Sequence, residues 1–526
     1  MRPTFAGFET AKSAINYNQR GLDVTLNNIT NAVTPGYTRQ RLEGYAVNMN
    51  YSNTTIAPPN GVRVGYGVGM KGVSQIRDPF LDSRYRAGNS EYSQYNTTLS
   101  GLKELENFFD ESSMEGITDA VDTIVKNLQA LTRDPDKAEL AKIVMTSTKD
   151  IAQILRTFDK KLNVMVEQQL SQAKYLTNER FNAITETIGK LNKQIKDEYM
   201  HKESTAGNTG SGDINEMYGP NELLDDRNNL IDELSSYADI KITTNSDGTV
   251  DISLNNTDDG SGQQISLVKG EKTSKINFEF DAVTNTASVT YEKGNGTPKI
   301  DITDSISKSE IHGSIGAFVN LINGKGAYAN TVQGENNSVG IAYFKETINT
   351  FAETFVTQLN TVNNPLNDPT LNLFDPAGIT AGNISLSADF LNDPLRVISN
   401  TVTPGDGSAQ NTGIQRLIGL FDSRTVPFGT LPGGGPEYTG NFKGYLNFYS
   451  NELSTKTAFY QGRHDSSQLA MDTISTSREN VSAVSPDEEA VNMMTYQKAF
   501  NAASRFMTVL DEALGTIISS MGVVGR

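Results

Sequence analysis

The histidines are the side chains best suited to bind a metal or to transfer a proton, and they are His201, His312 and His464. None of them lies in an HExxH arrangement, which would place two imidazoles on one helix face where they could bind zinc. The sequence contains no cysteine, so thiolate catalysis, disulfides and cysteine-bound zinc are excluded. We therefore predict no metal site and no bound cofactor.

Glycines and neighbouring carboxylates are the other groups whose spacing could support chemistry. Gly65, Gly67 and Gly69 lack the third glycine spacing, the following helix and the distal acidic residue of a dinucleotide-binding loop. Asp225 and Asp226 could act as an acid and a base or bind calcium, yet adjacent acids are expected in a chain with a net charge of -17. The sequence has no GxSxG nucleophile motif and no phosphate-binding P-loop, so we predict a protein that is not an enzyme.

Composition and charge limit the classes of protein to which this chain can belong. At 526 residues it is longer than one hydrophobic core usually supports, so we expect several domains. The excess of 62 acidic over 45 basic side chains repels phosphate backbones and anionic lipids, which argues against a nucleic-acid partner. No run of about 18 to 20 apolar residues is present, so no membrane insertion is expected. The first residues lack the apolar core of a cleavable signal peptide, so we expect a cytoplasmic protein or one exported by another route.

Apolar residues at the start of the chain recur at alternating intervals of three and four residues, as in the seam of a coiled coil. The pattern stops at Thr34-Pro35-Gly36, because proline disfavours a helical residue before it and Pro-Gly suits a tight turn. We therefore predict a first helix that ends near Val33. Its seam is interrupted by Lys12 and Gln19 and otherwise consists of Phe5, Phe8, Ile15, Leu22, Leu26, Ile29 and Val33.

The end of the chain carries a second stripe with the same alternation. Its helix start is marked by a capping Ser485, by Pro486 at the first helical position and by Glu488 three residues after the cap. We predict a long terminal helix from this point. Its seam consists of Met493, Tyr496, Phe500, Ala503, Met507, Leu510, Leu514, Ile517 and Met521.

The middle of the chain alternates between helical and strand periodicity. Helical spacing covers 96–202, 311–321, 341–362 and 442–478. A period of two and a Ser-Asp-Gly turn predict strands from 240 to 302, and a shorter strand pattern follows Gly61. We predict a mainly α fold with nested domains, in which terminal coiled-coil helices and a central helical bundle carry a small, β-rich outer domain. The predicted bounds are 1–60 and 482–526 for the terminal domain, 75–240 and 305–480 for the bundle with an irregular part at 363–440, and 241–304 for the inserted β domain.

An apolar stripe on a helix is more often one face of a globular core than an assembly surface. Two features favour assembly here: both stripes run for about four heptads, and they lie at opposite ends of a chain whose middle already contains complete domains. Each terminal helix must therefore find a partner, in the other helix and in neighbouring subunits, or stay partly disordered. We predict that the two helices polymerise.

Four segments resemble the axial proteins of the bacterial flagellum, the family of rod, hook and hook-associated subunits. They are Asn27 to Gln40, Gly65-Tyr66-Gly67-Val68 with Ile76 to Leu81, Asn221 to Leu234, and Val484 to Phe500. The Pro35-Gly36-Tyr37 form of the turn is most similar to the hook-associated branch, whose members join hook and filament. Between about 240 and 440 the resemblance is one of layout only.

This resemblance implies a secreted structural subunit at the hook-filament junction of the extracellular flagellum, exported unfolded by type III export. The implied partners are copies of the chain in a ring, the hook protein, the second hook-associated protein and an export chaperone at the C-terminal helix. The ends of the free subunit are expected to be mobile and sensitive to proteases. Besides the two stripes, the implied assembly residues are Asn27, Asn28, Asn31, Thr34, Pro35, Gly36 and Tyr37.

Two alternatives remain open at this point. A secreted adhesin or a phage-tail-like structural protein would share the coiled-coil ends and the β insert but would not explain the Pro35-Gly36-Tyr37 turn. An enzyme within 240–440 would need a pocket in which carboxylates with shifted pKa values converge.

Overall fold

Helices make up most of the chain in the computed structural model, which describes residues 6–47, 65, 67–110, 113–206, 220–258, 264–294, 299–308, 313–331, 335–364, 367–399, 407–432 and 434–521. A π-helical turn, Tyr175–Phe181, joins the fourth helix to the fifth. In chain order the helices are α1 (Ala6–Thr30), α2 (Pro79–Asp110), α3 (Ser113–Arg133), α4 (Ala138–Lys174), α5 (Asn182–Ala206), α6 (Asn221–Tyr237), α7 (Thr303–Lys308), α8 (Ser314–Asn323), α9 (Ile341–Asn363), α10 (Ala388–Asn392), α11 (Pro394–Ser399), α12 (Gly407–Asp422), α13 (Phe442–Ser482) and α14 (Pro486–Met521).

The strands form small antiparallel sheets. Strands β1 (Gln40–Ala46) and β2 (Val68–Gln75) make a hairpin next to α1, and β10 (Val426–Phe428) pairs with β11 (Tyr438–Gly440). The remaining sheets contain β3 (Ile240–Thr244), β4 (Val250–Asp258), β5 (Gln264–Lys269) and β6 (Lys272–Thr273) in that order, and β7 (Lys275–Asp281), β8 (Thr286–Glu292) and β9 (Ile300–Asp301). The fold is mainly α with a β-containing region, as predicted.

The hairpin predicted from the Ser-Asp-Gly turn is confirmed. Ile240 pairs with Leu254 and Thr244 pairs with Val250 across β3 and β4. Gly248 has a φ of +79°, a conformation that glycine adopts without the steric cost of a side chain.

An aromatic core holds the helical body together. Phe344, Phe351 and Phe355 of α9 are fully buried, and their spacing of seven and four residues places them on one face of the helix. Phe355 packs edge-on against Phe442 of α13, with ring centroids 5.3 Å apart. Helices α2, α3 and α4 complete this core with apolar residues at helical spacing, which include Leu102, Leu105, Ile117, Val121, Ile124, Leu128, Val144, Ile151, Leu155, Phe158 and Leu162.

The β region packs directly on the helices through a second core. This core joins Phe181 and Ile184 near the π-helical turn to Ile252 of β4 and Phe278 of β7. Asn182 also acts as a substitute for a neighbouring strand, because its side-chain amide donates to the Ile276 carbonyl at 2.7 Å while its Oδ1 accepts the Ile276 N–H at 3.0 Å. The edge of β7 is therefore covered by a helix, which prevents it from pairing with another chain. The domain bounds given above stay a prediction.

The segment 363–440, for which the sequence shows no clear periodicity, contains the short helices α10, α11 and α12 and the hairpin β10–β11. Phe428 of β10 stacks on Tyr445 of α13 with ring centroids 4.3 Å apart, so this segment belongs to the aromatic core. Most of its elements are too short to produce a periodic pattern, and the 16-residue α12 carries large apolar residues only from Ile414 onward. The sequence therefore predicted an irregular segment.

The ends of the chain follow the predicted boundaries with one correction. Helix α1 ends at Thr30 rather than near Val33, because the N–H groups of Ala32 and Thr34 bond to carbonyls three residues back and tighten the chain into a turn. Helix α14 begins at Pro486, as predicted from Ser485. The strand pattern after Gly61 is present as β2 from Val68 onward, whereas Phe5, Val62, Val64, Tyr66 and His312 lie outside the described residues.

Candidate assembly site

Helices α1 and α14 form an antiparallel pair that brings the two ends of the chain together. The pair also contacts the β1–β2 hairpin, where a Cβ on Gly44 would lie 2.6 Å from the ring of Tyr17. Contacts at both ends and in the middle of the pair fix its direction, and they join Gly7 to Leu510, Gly21 to Tyr496 and Asn28 to Glu489.

The face of α1 that contacts α14 consists of small and polar residues. A Cβ on Gly21 would lie 2.6 Å from the ring of Tyr496, so the close approach of the helices requires glycine at this position. The predicted stripe of large apolar residues lies one position later and is therefore rotated by about 100° around the helix, where it flanks the contact. The small face follows a heptad spacing through Gly7, Ala11, Ala14, Asn18, Gly21, Thr25 and Asn28.

The predicted seam residues are only partly covered by the pairing of the two helices. On α1, Leu26 is 55% exposed, and Val33 in the following turn is 92% exposed. The half-buried members of the two stripes are Phe8, Ile15, Leu22, Ile29, Met493, Tyr496, Phe500, Ala503, Met507, Leu510 and Leu514. Ile517 is exposed.

A second apolar face of α14 points to solvent. Its large residues precede the predicted seam positions by one or two residues, so they lie on a different side of the helix. Their exposure ranges from 49% for Phe506 to 58% for Val509. The face consists of Val491, Met494, Phe506 and Val509.

Asn28 connects the base of α1 to the chain that follows it. Its Oδ1 accepts hydrogen bonds from the Tyr37 hydroxyl at 2.8 Å and the Gln40 N–H at 3.0 Å, while its Nδ2 donates to the Gln40 carbonyl at 2.9 Å and to Glu489 at 3.1 Å. Burial, followed by the nearby charge of Asp225, raises the pKa of Tyr37, so its hydroxyl stays protonated and donates. Asn28 and Tyr37 therefore face inward in this subunit.

The rest of the predicted turn is more open. Asn27 accepts a hydrogen bond from the side chain of Asn31 at 2.9 Å, which stabilises the end of α1. Thr34, Pro35 and Gly36 are exposed, and Gly36 has a φ of +78° as the predicted Pro-Gly turn requires.

A buried carboxylate joins the start of α14 to the base of α1. Glu489 is 2% exposed and accepts hydrogen bonds from Arg39 Nε at 2.9 Å and from Asn28 Nδ2 at 3.1 Å. Its neighbour Glu488 pairs with the same Arg39 at 2.6 Å but is 63% exposed. The Arg39 N–H also donates to the Ser482 carbonyl at 2.9 Å, so the segments before and after the pair are held together.

Asp225 of α6 anchors the chain on the other side of this base. Its carboxylate accepts the Thr38 N–H at 3.1 Å, the Thr38 hydroxyl at 2.6 Å and the Gln75 side-chain amide at 2.8 Å. Burial raises the pKa of Asp225 above its usual value, although these donors act in the opposite direction.

Below Asp225 lies a cluster of alternating charges that connects α2, α6 and α13. Arg478 Nε lies 2.9 Å from Asp82 and Arg478 Nη2 lies 2.5 Å from Asp232, while Arg77 and Arg86 pair with the same two carboxylates at 3.0 and 2.7 Å. Burial alone would raise the pKa of Asp82, but the hydrogen bond and charge of Arg77 hold that pKa below its usual value. The cluster thus fixes the ends of three helices relative to one another.

The sequence indicated Asn28 and Tyr37 as members of this site, whereas Arg39, Asp225 and Glu489 were not predicted. All of the missed residues lie in the segments that carry the flagellar resemblance. These three residues could have been predicted if the separate segments had been assumed to contact one another in the folded protein.

Outside the assembly site, Glu437 and Glu452 both accept hydrogen bonds from the Tyr343 hydroxyl, at 3.3 and 2.6 Å, and burial raises the pKa of Glu437. Across the described residues no cluster of three His, Asp or Glu side chains is arranged to hold a metal ion, and no helix is long and apolar enough to cross a membrane. A cavity of about 440 Å³ between α1 and the β1–β2 hairpin is lined by charged, amide and apolar residues, which include Arg20, Asp23, Asn27, Gln40 and Lys71. Asp23 is the one carboxylate in that lining, so this cavity offers no converging acids.

Comparison with known proteins places this arrangement among flagellar subunits. Residues 102–366 match the family described as flagellar hook-associated protein FlgK helical domain, and residues 475–520 match the flagellar basal body rod FlgEFG protein C-terminal family. The chain is 26% identical over 551 residues to flagellar hook-associated protein 1 of Bacillus subtilis (strain 168), with 100% of both chains covered. It is also 26% identical over 252 residues to the protein of the same name from Salmonella typhimurium, covering 47% of this chain and 40% of that protein. The solved flagellar hook junction protein FlgK from Burkholderia pseudomallei aligns with a TM-score of 0.42 and 17% identity over 56% of this chain and 46% of that one.

Proposed function

Because the chain belongs to the family of flagellar hook-associated protein FlgK, a structural component of the bacterial flagellum, we propose that it joins hook to filament by polymerising through the α1–α14 pair. The family is a structural one, which fits a subunit without enzymatic activity. The matches to families of the flagellar axis give no support to an adhesin or a phage-tail component.

The exposed apolar face of α14 is the observation that carries this proposal. After α1 and α14 have paired, Val491, Met494, Phe506 and Val509 remain about half exposed. Exposed apolar side chains grouped in this way, as two pairs on one side of a helix, are typical of a protein–protein contact. Burial of such side chains against a neighbouring subunit would stabilise an assembly by roughly 25 cal/mol per Å² of apolar area removed from water.

The proposal extends to the neighbours and the location of the subunit. Copies of the chain form a ring whose contacts use the two predicted stripes, the turn at Thr34-Pro35-Gly36-Tyr37 and the exposed face of α14. The hook protein lies on one side and the second hook-associated protein on the other. Before assembly, an export chaperone covers the C-terminal helix and the chain leaves the cell by type III export.

The layers of the assembly follow the order of the domains. The terminal domain (1–60 and 482–526) forms the inner tube, and the helical bundle (75–240 and 305–480) surrounds it. The inserted β domain (241–304) lies outermost. The covered edge of β7 supports this outer position, because an uncovered strand edge would risk pairing with other chains.

Val509→Asp tests the exposed face without disturbing the pairing of α1 with α14. Val509 is 58% exposed, so a carboxylate there stays hydrated in the free subunit but would be buried without a partner in an assembly. Replacing the chromosomal gene of the source bacterium with this variant should abolish junction assembly and swarming. The purified subunit should keep its helical circular dichroism spectrum.

Thr508→Asp is the matched control, because Thr508 is also exposed on α14 and the substitution adds the same charge about 100° away around the helix. This control strain should keep motility, and immunoblots of detached filaments should still contain the subunit. Normal swarming and normal filament attachment in the Val509→Asp strain would contradict the proposed role of the exposed face.

A further inference from the structure

Three segments lie at the boundary between the α1–α14 pair and the helical body, and we call them crossings: 31–39 turns the chain from α1 into β1, 75–78 leads from β2 to α2, and 482–486 leads from α13 to α14. Each of these crossings is held by hydrogen bonds to something outside itself. The first is bound at Thr38, the second at Gln75, and the third at the Ser482 carbonyl, which accepts the Arg39 N–H at 2.9 Å. Each of the three crossings is thus fixed by at least one hydrogen bond.

The first two crossings meet on a single side chain of the body. The Asp225 carboxylate accepts hydrogen bonds from the Thr38 N–H at 3.1 Å, from the Thr38 hydroxyl at 2.6 Å and from the Gln75 side-chain amide at 2.8 Å. Arg77, in the second crossing, also donates to the Thr38 hydroxyl at 3.3 Å. A single carboxylate on α6 therefore determines where two of the three crossings attach.

The surface that carries Asp225 is itself cross-linked by charge. Three arginines and three aspartates, with side chains between 9% and 18% exposed, bridge the second crossing, α2, α6 and α13. Paired charges with this little exposure are fixed by geometry, because breaking one pair leaves its partner poorly solvated. The third crossing leaves directly from α13, whose Arg478 belongs to this cluster.

We propose that these contacts form a rigid joint in the free subunit and that Asp225 is its positioning residue, which sets the angle between the terminal helix pair and the helical body. The expected mobility of the chain ends is then confined to the pair beyond the joint. Copies would enter a ring with this angle already set, so less conformational freedom would be lost on assembly. This consequence for assembly rests on the proposed function, whereas the fixed angle does not.

The absence of cysteine makes the angle directly measurable, because introduced cysteines are the only thiols in the full-length protein. The distance is measured between spin labels at Thr473→Cys on α13 and Lys498→Cys on α14. Both positions are exposed, and they lie on opposite sides of the joint. At about 1.5 Å per residue, each label lies within about 20 Å of the break between the helices, which suits pulsed electron paramagnetic resonance. The unsubstituted joint should give one narrow distance distribution.

Asp225→Ala should broaden this distribution at least about twofold, since Thr38 and Gln75 lose their shared acceptor. Asp226→Ala is the matched control: it removes the same charge from the next residue of α6, whose side chain is exposed, and it should leave the distribution narrow. Thr38→Val gives a second test that keeps side-chain shape and leaves the body intact. A label pair within the body, Lys160→Cys with Thr473→Cys, should be unaffected by every variant.

The proposed joint would be overturned if the distance across it stayed narrowly distributed in both Asp225→Ala and Thr38→Val. It would also be overturned if the distance between the two labels within the body broadened equally. Swarming of the same strains separates this inference from the proposed function. A broadened joint in a motile strain supports the joint and contradicts the proposed consequence of a preset angle for assembly. A joint that stays narrow overturns the inference whatever the motility.

Discussion

Removal of the Glu489 carboxylate should loosen the terminal helix pair without unfolding the rest of the protein. Glu489 is 2% exposed and accepts hydrogen bonds from both Arg39 and Asn28, so Glu489→Ala removes one acceptor from a cation and one from an amide. Breaking a buried ion pair on one side costs roughly 3 to 5 kcal/mol. Because Arg39 is 19% exposed and keeps its contact with Glu488, we expect about 3 kcal/mol, the lower end of that range.

The expected magnitude translates into a rate that hydrogen exchange can measure. At about 1.4 kcal/mol per factor of ten, a loss of about 3 kcal/mol makes opening of the pair roughly 100-fold more frequent. Mass spectrometry of peptides from α1 and α14 should show this acceleration. Peptides from the aromatic core around Phe351 should exchange at the original rate, since that core makes no contact with Glu489.

Glu488→Ala provides the comparison that decides whether burial is the cause. Glu488 pairs with the same arginine at 2.6 Å and lies in the same first turn of α14, but it is 63% exposed. A surface ion pair contributes at most about 1 kcal/mol, which corresponds to no more than about a fivefold acceleration. Equal acceleration of hydrogen exchange in Glu489→Ala and Glu488→Ala would show that burial of Glu489 does not cause the larger effect.

Four further substitutions test other parts of the structure. Gly21→Ala should speed hydrogen exchange in the terminal pair, because the added Cβ would lie 2.6 Å from the Tyr496 ring. Gly515→Ala has open space around it and should slow exchange, because alanine favours the helix by about 1 kcal/mol relative to glycine. Phe355→Ala should destabilise the helical body by about 3 to 5 kcal/mol in urea unfolding, because it leaves a cavity in the aromatic core; a loss below 1 kcal/mol would contradict the burial described here. Burial raises the pKa of Glu437, so the folded protein favours the protonated carboxyl and stability is lost as pH rises above roughly 4.3. Glu437→Gln should therefore raise Tm at pH 7 and have no effect near pH 4. A Tm difference that persists near pH 4 would contradict a raised pKa.

Much of the architecture could be predicted from the sequence because its determinants are local. The alternation of apolar residues along α14, the Ser485-Pro486 start signal and the glycine turn between β3 and β4 each depend on residues close together in the chain. The same reasoning identified helical spacing in α4 and α9, and the structure confirms it. Local patterns also placed the two ends of the chain side by side, since the order of elements is nested.

The face of α1 that contacts α14, and the joint at its base, were decided only by the tertiary structure. The apolar stripe from Phe8 to Ile29 predicted one face, but the small face through Gly21 allows the helices to approach more closely, which the spacing of apolar residues alone does not reveal. The contacts of the joint unite residues as distant as Asn28 and Glu489, which lie 461 positions apart. A polar side chain shows no periodicity, and its role depends on which distant donor or acceptor folding brings within about 3 Å. Short-range pattern therefore determined the helices, and long-range hydrogen bonding and charge pairing determined how their ends are joined.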